Sequence, residues 1–138
     1  MESVARWAAE RGRRVEPFGL DISERLAALA RARMPHWADR IFVGDAATWR
    51  PPRRFDFVPT ELDYVPERHR RDLVRRLLDQ TVTAGGRVIV CSYGSVGLSR
   101  PADPVEQMLR DWGFDLAGQA GADEGGLPIT RVAWVCRR

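Results

Sequence analysis

The sequence predicts one α/β domain, a Rossmann-like, mostly parallel sheet flanked by helices. Three observations predict it. Segments with helical spacing alternate with short apolar, strand-like segments through most of the chain. Residues 87–91 form an apolar run of the kind buried on both faces of a parallel sheet. Residues 114–118 and 129–136 read as two strands with no helix between them, which suggests an antiparallel hairpin at the end of the sheet.

The elements follow in order. Val4, Trp7, Ala8 and Arg11 have helical spacing, and Gly12 is a natural stop. Residues 14–20 read as a strand with Val15, Phe18 and Leu20 as apolar members, and Pro17 marks an irregular or edge position. A helix is expected over residues 22–33, with Leu26, Leu29 and Ala30 as its apolar stripe and Pro35 beyond its end. Residues 40–43 and 55–58 read as strands, joined by a loop too short for a regular helix. Residues 59–66 read as a loop. A long helix over residues 67–83 carries Leu73, Val74, Leu77 and Leu78 on one face, and Gly85-Gly86 ends it. The next helix should start at Asp103 as N-cap, with Pro104 first, Glu106 third, and Val105, Met108, Leu109 and Trp112 as its apolar face. The loop between the final two strands holds Gly121, Gly125 and Gly126.

Composition narrows the function classes. The chain has 138 residues, 44% hydrophobic and 30% charged, which fits a single globular domain. All 22 basic residues are arginine, and the net charge of +3 is too small to argue for nucleic acid. The arginines at 68, 70, 71, 75 and 76, with His69, read as a solvated helix face. Cys91 and Cys136 have no metal-ligand spacing and read as buried thiols of a reducing compartment. No stretch approaches the roughly 18 apolar residues of a membrane span, and residues 1–14 lack a secretory core. The expected location is cytoplasmic. Ser92-Tyr93-Gly94-Ser95 is not a G-x-S-x-G elbow, so hydrolase chemistry gets little support.

Four fragments stand in a telling order. Gly19-Leu20-Asp21-Ile22-Ser23 ends one strand with an acidic residue. Gly44-Asp45-Ala46 follows the next. Phe55-Asp56-Phe57-Val58 is a third strand, and Ala84-Gly85-Gly86-Arg87 turns into the fourth. In order they resemble the second motif, the third motif, the fourth strand and the turn from helix into fifth strand of the class I S-adenosylmethionine-dependent methyltransferases, across essentially the whole chain. That family has a seven-stranded sheet whose last strand runs antiparallel to the rest, and this chain would supply strands two to seven. The resemblance lacks the family's first strand and the glycine-rich loop after it, which would precede the opening helix. The expectation is that the domain begins upstream of Met1, or that another chain completes the sheet.

The resemblance implies S-adenosylmethionine as cofactor and assigns roles. Asp21 would accept hydrogen bonds from both ribose hydroxyls through its two oxygens, or else cap the following helix with Glu24. Ile22 would pack on the adenine, or be an ordinary core residue. Asp45 would accept from the adenine amino group and Ala46 would leave room for the ring. Thr60, Glu61 and Tyr64 would lie by the transferred methyl group, with Glu61 or Tyr64 as a base. Pro59-Thr60-Glu61-Leu62 departs from the Asn/Asp-Pro-Pro-Tyr/Phe signature of nucleobase- and glutamine-methylating members, which weakens that substrate class. The expected reaction is methyl transfer to a small molecule, with specificity in the loops at 60–66, 92–102 and 121–128. Two rivals remain: an inactive or partner-dependent domain, and a nicotinamide-dependent Rossmann enzyme, since an acidic residue at this position also suits the ribose of NAD.

Overall fold

The computed structural model describes residues 1–138. The chain divides into two compact units, Met1–Trp49 and Arg50–Arg138.

The first unit opens with helix α1 (Glu2–Ala9) and continues through strand β1 (Gly19–Asp21), helix α2 (Glu24–Arg33), a 3-10 segment (Pro35–Arg40) and strand β2 (Ile41–Val43). Strands β1 and β2 pair in parallel, Gly19 opposite Ile41 and Asp21 opposite Val43. Strand β1 is shorter than expected, because residues 14–18 join no ladder. Pro17 has no N–H to give one. The stripe expected on α2 is also corrected. Leu26 and Leu29 are 52% and 58% exposed, whereas Ala27 is buried with Met34 and Ile41. The small alanine side chain faces the sheet and the larger leucines point away from it. Arg31 ties the helix down, its Nε donating to the Ile41 carbonyl at 3.1 Å.

The second unit carries strand β3 (Phe55–Glu61), helix α3 (Glu67–Arg76) with a π turn after it (Leu77–Thr81), strand β4 (Val82–Tyr93), helix α4 (Val105–Asp111) and strands β5 (Leu116–Glu124) and β6 (Leu127–Cys136). The four strands lie in the order β3-β4-β6-β5. Strands β3 and β4 pair in parallel. Strand β6 runs antiparallel to both of its neighbours. The expected closing hairpin is therefore present, and it is longer than read. Gly125 and Gly126, both at positive φ (57° and 77°), make a two-residue turn, the geometry that matches the twist of paired strands. Gly121 and Pro128 thus lie in strands.

The core sits on one face of this sheet. Leu73, Val74, Leu77 and Leu78 meet Val88, Val90, Ala133 and Val135, with Val105 and Leu109 from α4. The helical spacing of those four residues predicted that face. Strand β4 is not buried on both sides, since Val88, Val90 and Ser92 are buried while Arg87 and Tyr93 are exposed and Ile89 and Cys91 half-buried. Helix α4 starts one residue later than expected, with Pro104 at its N-cap position. The strand after α3 begins at Val82, so the helical segment ends at Thr81 rather than at 83. Cys136 is exposed, not buried, and Cys91 is half-buried. Cys136 follows the buried Val135 and so points to the opposite face of the strand.

Candidate functional site

In the first unit the two predicted carboxylates come to the same edge. Asp21 ends β1 and Asp45 follows the end of β2. The Gly44 N–H donates to the Asp21 carbonyl at 3.0 Å and so fixes the two strand ends against each other. In open α/β sheets this carboxyl edge is where ligands bind.

Each carboxylate is oriented by its own turn. Asp21 Oδ1 accepts the Ser23 N–H at 2.8 Å, which leaves Oδ2 with no hydrogen bond. Asp21 is not the helix cap. Ser23 is, its Oγ accepting from the Leu26 N–H at 3.3 Å. A serine hydroxyl suits that place because it reaches the first free helix N–H groups. Asp45 Oδ1 accepts the Ala47 N–H at 2.8 Å, and the Asp45 carbonyl accepts from Thr48 and Trp49. Ile22 is 73% exposed, so it is not a core residue of this unit. Ala46 is half-buried. Asp21, Ile22, Asp45 and Ala46 therefore share one edge, with a free carboxylate oxygen and an uncovered apolar side chain between tight turns. That combination fits a nucleoside, which presents hydroxyls and a flat apolar ring.

In the second unit Thr60 and Glu61 are the last two residues of β3 rather than part of a loop. The strand continues through Pro59 because β3 is an edge strand, where a missing N–H costs little. Thr60 Oγ1 lies 2.5 Å from the Tyr64 hydroxyl, and it also donates to the Glu61 carbonyl at 3.1 Å. Asp63 pairs with Arg100 at 3.7 Å. The segment after β4 is held in place: Ser92 Oγ accepts from the Asp103 N–H, and Gly94 and Ala102 donate to the carbonyls of Ile129 and Pro128.

Sequence reasoning assigned no role to Cys91 and Tyr93. Register places Cys91 directly opposite Glu61, and Tyr93 stands two residues on, on the same face of β4. Burial pushes the Cys91 thiol above its ordinary range, and the Glu61 carboxylate adds to the rise against a hydrogen bond with Tyr93. The charge of Cys91, burial, their shared hydrogen bond and Glu61 push the Tyr93 phenol up in turn. No group of three His, Cys, Asp or Glu residues is placed to hold a metal ion, and no helix is long and apolar enough to cross a membrane.

The arrangement of elements is that of the class I S-adenosylmethionine-dependent methyltransferases, and the chain has that fold. The glycopeptide N-methyltransferase MtfA, solved with S-adenosyl-L-methionine, aligns with a TM-score of 0.64 at 18% identity over 86% of this chain and 71% of that one. The N-methyltransferase NodS from Bradyrhizobium japonicum WM9 gives 0.61 at 15% identity, with the same coverage of 86% and 71%. Magnesium protoporphyrin IX methyltransferase, ChlM, from Synechocystis PCC 6803 with bound SAH gives 0.62 at 16% identity over 99% of this chain and 81% of that one. No family model and no curated protein sequence matches.

Proposed function

We propose that the protein transfers a methyl group from S-adenosylmethionine to a small-molecule acceptor. The observation that carries this reading is the pair of carboxylates at the ends of β1 and β2, two strand ends held together by the backbone bond from Gly44 N–H to the Asp21 carbonyl, beside an exposed Ile22. It is supported by structural neighbours that are methyltransferases solved with S-adenosylmethionine or its product.

Asp21 is assigned to the ribose hydroxyls. Its Oδ2 is free, and Oδ1 keeps a second lone pair after bonding Ser23. Ile22 is assigned to the adenine face, Asp45 to the adenine amino group and Ala46 to the space the ring needs. Thr60 is assigned to the polar lining near the reacting methyl. When bound, the cofactor supplies a methyl group on a positively charged sulfur. The chain's own part is to hold the nucleoside, orient the acceptor and accept its proton. The 138 residues contain no Gly-x-Gly turn, so no residue is assigned to the methionine end.

Calorimetric titration with S-adenosylhomocysteine tests the reading. The expected result is a dissociation constant in the micromolar range, weakened about tenfold or more by Asp21→Ala, the scale of a hydrogen bond to a charged group. No heat from a well-folded sample, or tighter binding of NADH, would overturn it.

A further inference from the structure

We propose that Glu61 and the Tyr93 hydroxyl form a recognition point for a protonated amine, and that the acceptor is therefore an amine-bearing small molecule. That the amine is a methyl acceptor rests on the function proposed above: the bound ammonium first gives one proton to the Glu61 carboxylate, and the free amine then forms the C–N bond as the bond from sulfur to the methyl group breaks. That the cluster binds an amine rests on the cluster alone.

The geometry comes from strand register. Glu61 ends β3 opposite Cys91, and Tyr93 follows on the same face of β4 at the same carboxyl edge. The three side chains stand on the face turned away from the core that holds Val88, Val90 and Ser92. Glu61 is exposed, and its carboxylate makes no hydrogen bond or ion pair. Tyr93 is 46% exposed, and its hydroxyl, which bonds Cys91, keeps a lone pair that can accept from a ligand.

The charge of the cluster is simple. The thiol and the phenol are both pushed up, so both keep their protons near neutral pH. Glu61 is left as the one negative charge among the three. Arg100 is the guanidinium that reaches this segment, and it is already engaged. Its Nη2 donates to the Tyr93 carbonyl at 3.0 Å and its Nη1 lies 3.7 Å from Asp63. A carboxylate with no cation of its own, flanked by a phenol that can accept a hydrogen bond, suits an ammonium group with several N–H donors. A carboxylate or phenolate ligand would meet like charge. A neutral alcohol would leave Glu61 uncompensated.

The test uses the whole chain and three probes of one shape: benzylamine, benzyl alcohol and benzoate, at neutral pH. Binding is followed by NMR shifts of backbone and side-chain signals. Benzylamine is expected to saturate signals at Glu61, Cys91 and Tyr93. The alcohol and the acid are expected to bind about tenfold more weakly or worse. Glu61→Gln should lower benzylamine affinity by about tenfold and leave the circular dichroism spectrum unchanged. Glu61→Asp, which keeps the charge, should retain part of the affinity. Equal binding of benzyl alcohol, undiminished binding by Glu61→Gln, or shifts centred on another carboxylate would overturn the proposal. Titration with S-adenosylhomocysteine in parallel separates the two readings. Lost amine binding with intact nucleoside binding sinks this proposal alone, and the reverse sinks only the function proposed above.

Discussion

The two units bury very different amounts. The first has three buried apolar residues at its centre, Ala27, Met34 and Ile41, around a two-stranded sheet. The second has thirteen, around four strands. Yet four of the five proposed cofactor residues lie in the first. Binding residues often sit where local stability is low, because segments that must adapt to a ligand cannot be locked by packing. On this reading the second unit provides most of the folding free energy, and the first gains order from what it binds.

Four measurements would break or sharpen that comparison. The largest effect is expected in the second unit's core. Leu109 is fully buried, and Leu109→Ala should cost about 2–5 kcal/mol in urea denaturation, the usual range for a buried leucine cut to alanine. Ile41→Ala in the first unit should cost clearly less. Equal losses would end the claim that the two units differ in stability.

The second effect is steric. A Cβ on Gly118 would approach the Trp134 ring edge far inside contact distance. Gly118→Ala should therefore destabilise by about 1–3 kcal/mol, the cost of overpacking, read as a lowered urea midpoint. An unchanged midpoint would mean that the indole swings aside freely.

The third concerns the two thiols. Cys136 is exposed, whereas Cys91 is half-buried with its thiol pushed up by burial. Thiolate is the reactive form, so iodoacetamide should label Cys136 first at neutral pH, as mass spectrometry would show. The linked stability has a definite sign. The folded Cys91 holds its proton to higher pH than the unfolded thiol. Its contribution is complete below the ordinary thiol range and is lost as pH rises from that range through the raised folded value. Stability that rises above pH 9 relative to Cys91→Ser would contradict the shift. The smallest effect belongs to the surface: Leu29→Glu should stay within about 0.5 kcal/mol, since Leu29 projects into solvent.

The second unit was the more legible from sequence. Leu73, Val74, Leu77 and Leu78 announced their face because large apolar residues at helical spacing have one place to go. In α2 the same reasoning chose Leu26 and Leu29 and missed that the buried face is lined by a small residue, Ala27. The strand through Pro59 was cut short because proline usually ends a strand, and edge position is not visible in a local window. Gly121 read as loop, whereas in β5 it makes room for Arg131 of the neighbouring strand, as Gly118 does for Trp134. At the candidate site, strand-end acids such as Asp21 and Asp45 can be read from their neighbours. The meeting of Glu61 with Cys91 and Tyr93 is set by pairing across some thirty residues, and no local pattern encodes it.

The strand order has a consequence for biosynthesis. Strand β6 follows β4 and β5 along the chain and yet lies between them. While a ribosome is still making β6, the outer β5 has nothing to pair with and the edge of β4 from Arg87 to Tyr93 stays open. Domains fold as units while they are synthesised, and exposed strand edges invite aggregation. The nascent second unit is thus committed to a waiting period that ends only as Leu127–Cys136 slots in. During that interval a chaperone would find its most attractive target in the valines of β4.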